Sequence, residues 1–157
     1  MNSIVVKNKI CCIYLDNQPQ NYLTRPEFIS QKELEDAVQS NDCIAIIISG
    51  IGRHFSAGAD ISTIHEMSRT GNLADELTAG KNLLQTMQSF NIPIVACVEG
   101  VCMGAGMEIM LNSDVCFASS KALFAFPESQ ANLMPGLSGT VKLTTAIGKK
   151  KKPWSLF

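Results

Sequence analysis

The chain has 157 residues, 46% of them hydrophobic, with 13 Lys and Arg against 14 Asp and Glu for a formal net charge of −1. At that length a folded chain buries roughly 70% of the surface it would otherwise expose, enough for one soluble domain with its own core. The even charge balance argues against a broad nucleic-acid-binding face, and no apolar run approaches the roughly 18 residues that a membrane-spanning helix needs.

In chain order, residues 4–6 and 10–15 read as two short strands around Lys7-Asn8-Lys9. Lys7 and Lys9 interrupt the opening apolar stretch, which therefore lacks the apolar core of a secretory signal. Asn17-Gln18-Pro19-Gln20 signals a turn, with irregular chain up to Arg25-Pro26. Ser30 followed by Glu33 is a capping box, and it opens a helix with Leu34, Ala37 and Val38 on one face. Residues 43–49 are nearly all apolar, the pattern of a strand buried on both faces.

A glycine-rich loop follows, then a helix over 62–68 broken at Gly71. Leu73, Leu77, Leu84 and Met87 recur at helical spacing, which predicts an amphipathic helix over 73–88. Pro93 introduces a second buried strand over 94–98. After another glycine loop come a helix over 105–112, strands over 115–118 and 123–126, and a last helix over 137–147 ending at Gly148. Strands alternating with helices predict an α/β fold with a largely parallel sheet, in one domain.

The six cysteines are Cys11, Cys12, Cys43, Cys97, Cys102 and Cys116. They form no CxxC pair, and most lie in apolar runs, where a thiol acts as a small buried hydrophobe. Reduced thiols and a cytoplasmic location are expected. With His54 and His65 as the only histidines, no metal site is expected.

Ligands of such sheets bind where strands end and loops begin. Two loops here are rich in small residues: residues 50–61, containing Phe55-Ser56-Ala57-Gly58-Ala59-Asp60-Ile61, and residues 99–108, containing Gly104-Ala105-Gly106-Met107-Glu108. Ile109 stands where a dinucleotide fingerprint needs its third small residue, and no Gly-Lys-Ser/Thr of a phosphate loop occurs. Backbone donors without a phosphate motif suit an oxyanion hole, or simply the close packing of helix on strand. Glu108 lies one helical turn beyond Ala105, and Glu128 follows Phe126-Pro127 at another strand-to-helix junction. Each alone also reads as a first-turn carboxylate stabilised by its helix, whereas the pair beside a polarised carbonyl suits acid–base chemistry.

Together these segments resemble the crotonase (enoyl-CoA hydratase/isomerase) family. Ile46-Ile47-Ile48-Ser49-Gly50 with the 55–61 segment is similar to one family signature. Pro93 to Gly100 with the 104–108 segment is similar to a second, and Asp114 to Ala118, Phe124 to Glu128 and Pro135 to Thr140 follow in the family's order. The resemblance implies a crotonase-like ββα spiral core. It implies that the backbone N–H groups of Ala57 and Ala105 polarise a thioester carbonyl, and that residues Ala57, Gly58, Ala59, Asp60 and Ile61, with Gly104, bind the CoA substrate. Glu108 and Glu128 fall on the two positions that are glutamates in hydratases, where the pair holds one water. Ala105 replaces the middle glycine of the second loop, keeping its N–H but narrowing the approach with a methyl group.

The resemblance thus implies an enoyl-CoA hydratase with an acyl-CoA substrate, no separate cofactor, and neither nucleic acid nor membrane as partner. Its alternatives are a dehydratase, isomerase or decarboxylase acting on acyl-CoA or acyl carrier protein thioesters, or a shortened chain that is inactive or serves as an interaction protein. Family members continue into a C-terminal helical region that covers the site and builds trimers or hexamers, and this chain is expected to lack it. The lysines at 149–152 read as a solvated run, or as contacts for CoA phosphates, and Pro153 would halt a following helix.

Overall fold

The computed structural model describes residues 1–148. The lysines at 149–152 and Pro153 lie outside them. β1 (Ser3–Lys7) and β2 (Ile10–Leu15) form an antiparallel hairpin, turned by Asn8 and Lys9, both at positive φ. β3 (Ala45–Gly50), β4 (Ile94–Val98) and β6 (Val115–Ala118) then add in parallel, giving the order β1-β2-β3-β4-β6. A second sheet pairs β5 (Val101–Met103) with β7 (Leu123–Ala125), also parallel. The helices are α1 (Gln31–Ser40), α2 (Ile61–Thr70), α3 (Leu73–Ser89), α4 (Ala105–Leu111) and α5 (Gly139–Ile147), with a 3-10 turn at Glu128–Ala131.

The mostly parallel α/β architecture agrees with expectation. The strands differ from it in how they are buried. Register places Cys11 beside Ile46 and Ile94, and Ile13 beside Ile48 and Ala96, so one face forms a continuous buried stripe. Leu34 and Val38 of α1 and Leu83, Leu84 and Met87 of α3 join that core. The opposite face, with Ile47 and Val95, is only half-buried, because these helical residues complete the core on one side alone. β3 is therefore not buried on both faces, and edge strand β6 is exposed throughout, with Phe117 at 66%. Cys11, Cys43 and Cys102 are buried, but Cys116 on β6 is exposed.

The helix starts follow local chemistry. The Ser30 hydroxyl accepts the Glu33 N–H, the first half of the expected capping box. Gly71, at φ 81°, ends α2 in the left-handed conformation that glycine adopts without penalty. α5 begins at Gly139 rather than at 137. Ser138 is left-handed (φ 79°), and the N–H groups of Leu137 and Gly139 are taken by Glu108. β5 was hidden inside the second glycine loop, where three residues between two glycines carry too short a pattern to read. Among the described residues no helix is long and apolar enough to cross a membrane.

Candidate active site

From Phe55 to Asp60 the first loop, between β3 and α2, has every backbone donor but one committed. Phe55 N–H donates to the Glu99 carbonyl at 2.8 Å, Ser56 to Val101 at 3.0 Å, Ala57 to Gln20 at 2.9 Å and Asp60 to Leu23 at 2.9 Å. Gly58 N–H donates to the Ser56 hydroxyl at 3.1 Å. Among the described residues, Ala59 has the one N–H from Phe55 to Asp60 with no partner. This corrects the assignment of the loop's oxyanion donor to Ala57. A backbone amide has a single proton, and that of Ala57 already serves Gln20. Residue Ala57 remains on the cavity wall, but the available donor is two positions on, at Ala59.

The second loop meets the first at backbone level. Met103 N–H donates to the Ser56 carbonyl, and Val101 N–H to Nδ1 of His54 at 3.1 Å. A Cβ on Gly58 would lie 2.8 Å from the Met103 carbonyl oxygen, closer than a side chain allows, with the Ala105 nitrogen 3.4 Å away. Ala105 is the first residue of α4, so its N–H has no acceptor one turn back and stays free. Two unpaired amides, Ala59 and Ala105, thus stand on adjoining loops at the edge of one cavity.

Glu108 projects from the first turn of α4 and is only 2% exposed. Its Oε1 accepts the N–H of Leu137 and of Gly139, each at 2.7 Å. Burial nevertheless prevails over these stabilising donors, and with the nearby Glu128 charge holds the acid up at about 7. Glu128 opens the 3-10 turn; burial raises its pKa as well, and its Oε2 is buried with no hydrogen-bond partner. Its Oε1 would lie 3.2 Å from a Cβ on Gly104, so the carboxylate reaches over the start of α4. Asp60 acts locally, since its Oδ1 accepts the N–H and hydroxyl of Ser62, capping α2, and these bonds lower its pKa.

A cavity of about 530 Å³ gathers the expected residues Ala57, Gly58, Ala59, Ile61, Gly104, Ala105, Glu108 and Glu128. The one expected residue it leaves out is Asp60, whose side chain serves the cap. Ile64, Leu73 and Leu77 form an apolar wall, whereas Leu83 and Leu84 belong to the core. Tyr22, Pro26, Leu133 and Met134, which local sequence pattern did not mark, complete the lining. The chemistry available is a pair of free N–H donors, two carboxyls with raised pKa and an apolar slot. Among the described residues no three His, Cys, Asp or Glu side chains come close enough to hold a metal ion.

The enoyl-CoA hydratase/isomerase family model matches residues 6–153. The chain belongs to the enoyl-CoA hydratase/isomerase (crotonase) family. It is 37% identical to the 2,3-dehydroadipyl-CoA hydratase of Escherichia coli (strain K12) over 117 residues, 74% of this chain and 45% of that protein. It is 33% identical to the peroxisomal fatty acid beta-oxidation multifunctional protein of Arabidopsis thaliana over 144 residues, 90% of this chain and 20% of that protein. The crystal structure of an enoyl-CoA hydratase from Polaromonas sp. JS666 superposes with a TM-score of 0.85 over 94% of this chain and 59% of that one, at 23% identity. The crotonase fold is therefore shared, while the chain spans less than half the length of these two curated relatives.

Proposed function

We propose that this chain carries the active site of an enoyl-CoA hydratase, adding water across the 2,3 double bond of an enoyl thioester. The observation that supports it best is the convergence of two carboxyls with raised pKa and two unpaired amides on one apolar cavity. The thioester oxygen sits between the N–H groups of Ala59 and Ala105, which draw electron density from the double bond. A water held by Glu108 and Glu128 loses a proton to one carboxylate as its oxygen bonds to C3. The double-bond electrons move to the thioester oxygen as an enolate, and the other carboxyl, in its acid form, delivers a proton to C2. One proton is taken up by the pair and one is given out, so the balance closes.

The enolate charge exists only along the reaction path, so donors aimed at it accelerate the chemical step. Each is worth roughly 3–4 kcal/mol in comparable oxyanion holes. The loop at 57–61 and Gly104 form the CoA-facing edge, and the thioester is itself the substrate, with no separate cofactor. A cytoplasmic, trimeric or hexameric enzyme fits this reading.

Crotonyl-CoA hydration, followed by loss of the conjugated thioester absorbance, tests it. Turnover that falls sharply in both Glu108→Gln and Glu128→Gln is the expected result. A folded protein that leaves crotonyl-CoA unchanged but turns over a carrier-protein thioester would overturn the CoA assignment.

A further inference from the structure

The segment that settles which amide of the first loop is free lies far from it in sequence. Gln20 takes the Ala57 N–H, while Leu23 donates to the Gly58 carbonyl and accepts from Asp60, bracketing Ala59 on both sides. Between them stands Asn21, only 1% exposed and left-handed at φ 52°. Its Nδ2 donates to the carbonyls of Ile51 at 2.9 Å and His54 at 2.7 Å, the two ends of the turn that leads into the donor loop. Its Oδ1 accepts Asn17 N–H at 3.1 Å, and its carbonyl accepts the Ser56 hydroxyl at 2.7 Å, the same hydroxyl that takes Gly58 N–H. Both side-chain donors are therefore spent on carbonyls of the donor loop. Asn is also among the few residues that tolerate a left-handed backbone while offering two donors.

We infer that Asn21 is the positioning residue of the first donor loop, clamping the 20–23 segment against it so that Ala59 N–H alone faces the ligand. This rests on the enoyl thioester reading for its ligand, although the clamp itself does not. Removing the amide donors releases Ile51 and His54, lets Gln20 drift from Ala57, and turns the Ala59 N–H away from the thioester oxygen. Asn21 touches no reacting atom in this arrangement.

Two variants of the full chain test it: Asn21→Asp, which keeps shape but replaces two donors with acceptors, and Asn21→Gly, which keeps the left-handed backbone and removes the side chain. The probes are CoA and acetoacetyl-CoA, a β-keto thioester whose enolate has its own ultraviolet absorption. The expected result is an enolate signal at least ten-fold weaker in both variants, with CoA affinity within about five-fold of the parent. Amide hydrogen exchange at Ala57 should also be at least ten-fold faster than in the parent. An unchanged enolate signal and unchanged Ala57 exchange would overturn the inference. So would parallel loss of CoA binding and enolate signal, which marks a residue needed only for the fold. A parent protein without any enolate signal refutes the thioester reading instead, and the exchange rates, which need no ligand, then decide the clamp alone.

Discussion

Oε1 of Glu108 accepts the backbone N–H of Gly139 at 2.7 Å across 31 residues of sequence. The approach is so close that a Cβ on Gly139 would stand 2.9 Å from Cγ of Glu108 and 2.7 Å from the Phe126 ring. Position 139 is thus held to glycine by the carboxylate it supports. Gly139→Ala should cost about 1–3 kcal/mol from overpacking a core that has no room to give. It should also lower kcat on crotonyl-CoA more than it raises KM, because the acid is displaced while the CoA-facing loop is untouched. Equal changes in the two parameters would point to general loosening.

The raised pKa of Glu108 makes stability depend on pH. Folding lifts it from an ordinary value near 4.5 to about 7, so the folded state holds more protons between those values. The contribution is fully present below about pH 4.5 and is lost as pH rises through 7. Glu108→Gln should remove that loss and be more stable than the parent at pH 8, by on the order of 3 kcal/mol. Urea unfolding at pH 5 and pH 8 measures it, with the gap between the proteins opening only at the higher pH. The same variant should lose about 10²- to 10⁴-fold in turnover, the usual worth of a positioned acid or base. Greater stability with lower activity in one substitution is the signature of a carboxyl buried for chemistry.

Ala105 occupies the first position of α4, a site where proline fits without breaking a helical hydrogen bond. Ala105→Pro removes the N–H and little else from the backbone. Turnover should fall about 10²- to 10³-fold, as when a single oxyanion donor is deleted elsewhere. The melting temperature should move by no more than a few degrees. Parental turnover in this variant would remove Ala105 from the donor pair.

Gly80 sets two general effects against each other. Alanine normally stabilises a helix interior by about 1 kcal/mol over glycine. Here a Cβ would meet Pro26 Cβ, carbonyl carbon and oxygen at 2.7–2.8 Å, and backbone cannot swing aside as a side-chain tip can. The clash prevails, and Gly80→Ala should be less stable than the parent by about 1–3 kcal/mol. Pro26 and Leu77 both line the cavity, so longer enoyl thioesters should also change in relative rate. A raised melting temperature would mean that α3 can slide away from Pro26.

Where signals were local, the sequence was legible. The apolar run over 43–49, the Ser30 cap and the 3.6-residue recurrence of Leu73, Leu77, Leu84 and Met87 each report on a single element, and each element formed, although β3 is fully buried on one face only. Both glutamates and both small-residue loops reached one cavity, in keeping with the family resemblance. Features set by a distant partner were not legible. Ala57 and Ala59 look alike in a run of small residues; Gln20, 37 positions earlier, decides between their amides. Similarly, nothing near Glu108 announces that its oxygen is held by residues 137 and 139.

That last dependence divides the site between two parts of the chain. The parallel sheet joins β2, β3, β4 and β6, all contained in the first 118 residues. Glu108 sits on α4, between β4 and β6 in chain order. Only when the Leu137–Ser138–Gly139 corner docks does the oxygen acquire its two amides. The carboxyl presented by α4 is thus completed from outside the sheet, and a substitution that loosens the 137–139 corner should impair the site while leaving every strand paired.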